Sequence, residues 1–136
     1  MIDFNTTNNF YLENATDIIE WINKVITLEN KFLGEVNYIF CDDKYLHKIN
    51  VDFLDHDTYT DIISFDYTSG NFISGDIYIS TDRVEENSKS FNTSFKDELA
   101  RVLIHGILHY CGYKDKTEEE AVLMRKMEDK YLSIRA

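Results

Sequence analysis

IHGILHYCGYKDKT, residues 104–117, joins a run apolar enough for a buried helix to two histidines, a glycine and an aspartate. On a helix advancing about 100° per residue, Leu99, Leu103, Gly106, Ile107 and Tyr110 share one side, with Ile104, Leu108 and Cys111 on a second flank. Such a helix belongs in the middle of the core. His105 and His109 fall together on the narrow remaining face, with Glu98 and Arg101 upstream, and their i, i+4 spacing lets both imidazoles reach one point. Taken alone, a pair of this kind more often satisfies ordinary hydrogen bonds than it binds a metal.

Gly112 changes that balance. It stands where the helix should end, and glycine adopts the left-handed conformation beyond a helix C-terminus without steric cost. The turn carries Asp115 back toward the histidines. His-x-x-x-His-x-x-Gly-x-x-Asp then supplies three ligands and leaves a fourth position for water, the arrangement of an open catalytic zinc site. Lys114 and Lys116 are protonated near neutral pH and are poor ligands. The competing reading of Asp115 is a solvated turn residue ahead of a helix capped near Thr117. Gly106 occupies the position at which the H-E-x-x-H peptidases carry their glutamate base, which counts against peptide hydrolysis and leaves phosphodiester hydrolysis open.

Outward from this segment the chain reads as mixed strands and helices. A short first strand is expected near Ile2–Phe4 or Asn9–Leu12. Ile18, Ile19, Ile22, Val25 and Ile26 then form one helical face, with Asn14 or Thr16 available as cap. Val36–Cys41 alternates as a strand, and Tyr45, Leu46, Ile49 and Phe53 mark a second helix. "TDIISFDY" from Thr60 and "GDIYIS" from Gly75 predict two strands joined through a turn at Ser69-Gly70-Asn71. A helix over Thr81–Ser90 follows. Ser94 with Asp97 opens the histidine helix, which runs to about Cys111, and Thr117 with Glu120 opens the last one. The expected fold is α+β: a mixed sheet of about four strands, packed by about five helices, around a zincin-like metal-site helix.

With no proline, only 5 glycines and no repeat, nothing marks a boundary, so residues 1–136 are read as a single metal-dependent hydrolase domain. A net charge of -11 repels polyanions over most of the surface, so a nucleic-acid site must be assembled by folding from scattered cations. Cys41 and Cys111 lack disulfide or C-x-x-C spacing and suit a reducing cytoplasm. No export signal or membrane span is expected. His47 and His56, without ligand spacing, read as surface residues. Asp61 and Asp76 read as turn acceptors as readily as site residues. Glu118, Glu119 and Glu120 fit a first helical turn.

"HGILHYCGYKD" resembles the H-G-x-L-H-x-x-G-Y-x-H mark of the YbeY family, single-domain zinc-dependent endoribonucleases tied to ribosomal RNA maturation, at His105, Gly106, Leu108, His109, Gly112 and Tyr113. "TDIISF" (60–65) is similar to that family's T-D-V-L-S-F strand, and "GDIYIS" to its G-D-I strand. The resemblance implies a single-strand-specific endoribonuclease acting in rRNA 3'-end maturation and ribosome assembly. It supports the ligand spacing of His105, His109 and Asp115, though not aspartate as the third residue type, and with it one zinc ion per chain, or another divalent transition metal, activating a water. It further implies RNA and ribosomal or assembly proteins as partners, and a cytoplasmic location. Asp115 stands where the family has its third histidine, and Leu54 where it has an arginine. Ser64, Phe65, Arg101 and Lys114 are the candidates for lining the substrate cleft. A zincin-type metallopeptidase and a non-catalytic, metal-stabilised assembly factor are the competing readings. The general acid or base, the oligomeric state and the RNA sequence cut are not legible.

Overall fold

Val36, Tyr38 and Phe40 on one strand and Ile73, Ile77 and Ile79 on the next are fully or almost fully buried and form the centre of the sheet. The computed structural model describes residues 1–56 and 58–135. Its elements run β1 (Ile2–Thr6), α1 (Ala15–Leu28), β2 (Phe32–Cys41), α2 (Asp43–Leu54), β3 (Ile62–Asp66), β4 (Phe72–Ser80), α3 (Thr81–Ser90), α4 (Phe95–Tyr110) and α5 (Glu118–Leu132). The strands are ordered β1-β2-β4-β3, with β1, β2 and β4 parallel and β3 antiparallel to β4. This is the α+β, mixed four-stranded architecture expected from the pattern.

The sheet has two unlike faces. Alternate residues of β2 and β4 meet α1 and α4 in the main core, where Trp21, Ile22, Val25 and Leu103 are buried. The opposite face carries a smaller cluster of Cys41, Leu46 and Ile63, covered by α2. Burying a large apolar side chain contributes about 1.5–3 kcal/mol, so the α1/α4 face holds most of the stability. α4 is anchored further by the Tyr38 hydroxyl, which donates to the Leu103 carbonyl at 2.8 Å. The Trp21 indole donates to the Tyr131 carbonyl at 2.8 Å and ties α1 to the end of α5.

Helix ends follow the expected chemistry with local differences. Ser94 caps α4 through the Asp97 amide, and Thr117 with Glu120 closes a full capping box on α5. Asn14 does precede α1, but in a left-handed conformation with no side-chain cap bond, and Thr16 lies inside the helix. Asp42, not anticipated, caps α2 by accepting from the Tyr45 amide. β2 and β4 begin earlier than expected, at Phe32 and Phe72, because a register shift between Leu33 and Val36 breaks the alternation that marks a strand. The turn falls at Ser69–Phe72, with Gly70 at φ 60°.

Candidate metal centre

α4 ends in the turn that its sequence calls for. Gly112, at φ 108°, donates to the His109 carbonyl, and the Tyr113 amide donates to Leu108, each at 3.0 Å. These are the paired bonds of a Schellman motif, and a side chain at Gly112 would be strained. The turn sends the chain back along the histidine face. Asp115 Oδ2 lies 3.2 Å from His105 Nε2 and 3.3 Å from His109 Nε2.

Both rings are held by their other nitrogen. His109 Nδ1 donates to the Tyr113 carbonyl at 3.0 Å, so the same turn that returns Asp115 also orients His109. His105 Nδ1 donates to Glu128 Oε2 at 2.6 Å. With both Nδ1 atoms engaged, each Nε2 is left to face the aspartate. The three ligand atoms lie within 4.8 Å of one another, and the set His2Asp suits a divalent transition metal with an open position. These residues therefore fit one ion.

Electrostatics support the same geometry. Burial disfavours the His105 imidazolium, but the hydrogen bond and charge of Glu128, with Asp115 and Asp61, outweigh it and raise this histidine above its ordinary value. Burial likewise opposes the Glu128 carboxylate, while His105 and Arg101 hold it below the usual glutamate range. Arg101 donates to Glu128 at 2.9 Å and to Asp129 at 2.7 Å.

His105, His109 and Asp115 open into a cleft of about 540 Å³ between α4, α5 and the start of β3. Ser64 and Arg101 line it, as does Asp61, whose carboxyl is raised chiefly by burial. Phe65 does not. Strand alternation turns it to the α2 face, where it packs edge-on against Phe53 and Tyr78. Lys114 is exposed and lies outside the cleft lining, and Leu54 closes α2 away from it. His56 is exposed, but His47 is half-buried and stacked on Tyr59 at 4.5 Å. Cys41 and Cys111 are free thiols.

The chain matches the family model for Endoribonuclease YbeY over residues 2–135. It belongs to the endoribonuclease YbeY family. Endoribonuclease YbeY of Flavobacterium johnsoniae is 60% identical over 134 residues, covering 98% of this chain and 96% of that protein. The YbeY of Christiangramia forsetii is 59% identical over 133 residues, covering 98% and 93%. Among solved structures, the solution structure of TM1509 from Thermotoga maritima superposes with a TM-score of 0.68 at 28% identity, covering 98% of this chain and 87% of that one.

Glu128 is a site residue that sequence reasoning missed. Its signal was weak but present: Met124, Glu128 and Tyr131 form the i, i+4, i+7 buried stripe of α5, and a carboxylate on such a stripe requires a partner.

Proposed function

We propose that this chain is a metal-dependent endoribonuclease that hydrolyses single-stranded RNA, with rRNA maturation and ribosome assembly in the cytoplasm as its setting. The observation that carries the reading is the convergence of His105 Nε2, His109 Nε2 and Asp115 Oδ2 at the floor of an open cleft. RNA as substrate rests on the names of the relatives. Zinc is the ion that best suits two imidazoles and one carboxylate. When bound, it would neutralise charge on a phosphate oxygen and make water more acidic.

The protein supplies position and proton transfer. Glu128 and the Tyr113 carbonyl fix the two rings, and Asp115 completes the ligand set. We assign the proton of the attacking water to Asp61, whose half-buried carboxyl faces the same cleft and is raised toward the working range by burial. Four carboxylates, Asp61, Glu98, Asp115 and Glu128, line the cleft against two guanidinium groups, Arg101 and Arg125. The cleft is thus acidic until an ion is bound, so RNA affinity depends on the metal.

A peptidase reading is opposed by position as well as chemistry. A Cβ built at Gly106 would lie 2.9 Å from Ile77 Cδ1 and 3.3 Å from Ile62 Cδ1, so this position packs against the sheet and is not part of the cleft lining where a glutamate base would have to act. Incubation with single-stranded RNA, duplex RNA and casein, with and without zinc, tests the assignment. Internal cutting of the single strand in the zinc arm alone supports it, and casein cleavage or no RNA cleavage would overturn it.

A further inference from the structure

Two turns before His105 on α4, Glu98 lines the far end of the same cleft. It is only 6% exposed, yet among the described residues its carboxylate has no hydrogen-bond or ion-pair partner. Burial pushes this carboxyl upward, with Asp61 and Glu128 adding to the rise and Arg101 and Arg125 opposing it. Its oxygens are not among the sealed side-chain atoms left without a partner, so they open onto the cleft, where a ligand's N–H groups can take the place of water as donors.

Phe91, which ends α3, is 59% exposed and lines the cleft beside Glu98. Both also border an adjoining cavity of about 520 Å³. An exposed aromatic side chain and an unpaired carboxylate lining one cleft are the equipment for holding an unstacked base: one group takes the ring, the other reads its edge. A carboxylate only accepts, so the edge must present two neighbouring donors. Guanine does so through N1–H and its 2-amino group. Adenine and cytosine place an acceptor nitrogen beside their amino group, and uracil sets its single N–H between two carbonyls.

We propose that Glu98 and Phe91 form a guanine subsite, Glu98 accepting from N1–H and the 2-amino group while Phe91 stacks on the ring. The inference rests on the RNA-cleaving reading and deepens it by naming a base. Seven residues of helix separate Glu98 from His105, about 10 Å along the axis. The recognised guanosine therefore neighbours the scissile phosphate.

The test uses zinc-loaded protein and oligouridylates carrying one central guanosine, inosine or adenosine. Binding is read by fluorescence anisotropy, and the cut position is mapped. Inosine lacks the 2-amino group and should bind about tenfold more weakly than guanosine. Glu98→Gln should abolish that difference and favour adenosine, since an amide matches adenine's donor and acceptor. Phe91→Ala should weaken all three oligonucleotides alike. Equal binding and cutting of the three by the unmodified protein would overturn the subsite while leaving RNA cleavage intact. Absence of any RNA binding or cutting would overturn both.

Discussion

His105 Nδ1 sits 2.6 Å from Glu128 Oε2, so a carboxylate from α5 sets which nitrogen of a helix α4 histidine faces Asp115. The same carboxylate accepts from Arg101, which makes Glu128 the junction between the two helices and the site.

Replacing Glu128 by Gln should keep the fold and lower zinc affinity about 10- to 100-fold, the usual effect of losing a group that orients a ligand histidine. Competition with a chromophoric chelator measures this. An unchanged affinity would mean that the α4–α5 contact is structural only.

Asp115→His should keep the ion, because the return turn is made by backbone bonds of Gly112 and Tyr113 and not by the aspartate. The substitution removes a negative charge from the site, so the rising limb of the pH–rate profile should move to lower pH. Elemental analysis and a pH series check the two parts. Loss of metal would show that the carboxylate geometry is required.

Glu98 carries a stability signature of its own. Its folded carboxyl is raised above the unfolded value, so the unfolded chain releases this proton first as pH increases. The stability it lends is complete below the unfolded pKa and is lost as pH rises through the folded one. Glu98→Gln should therefore raise the melting temperature of metal-free protein near pH 7 and leave it unchanged near pH 3. Thermal unfolding across that range decides it; a loss of stability at pH 7 would contradict the upward shift of this carboxyl.

RNA binding should depend only weakly on salt. Arg101 is committed to Glu128 and Asp129, Arg83 is paired with Asp43, and Lys89 reaches Glu85. Few cations remain for phosphate. The slope of log affinity against log salt should be no steeper than about -3, and chelation of the metal should abolish binding. A steep slope that survives chelation would place RNA on another surface.

Local chemistry made the candidate metal group legible in sequence: an i, i+4 pair on a helix and one glycine turn bring His105, His109 and Asp115 together within a short stretch of chain. Glu128 was not legible in that way, because it arrives from a separate helix whose packing angle no local pattern states. Phe65 was misplaced for a related reason. β3 carries apolar residues on both sides, Ile62 on one and Ile63 and Phe65 on the other, so its alternation defines two faces without saying which meets α4. The early halves of β2 and β4 were hidden by the irregularity at Leu33–Val36. The Schellman turn and the caps at Ser94 and Thr117 were readable because they depend on backbone bonds within a few residues.

The most direct measurement is cleavage of an end-labelled single-stranded RNA by the zinc-loaded protein, run beside a His105→Ala, His109→Ala double variant of matched fold. The account predicts internal cuts by the unmodified protein, none by the variant, and about one equivalent of metal in the first against none in the second. Intact RNA with the loaded protein, or equal cutting by the variant, would contradict it.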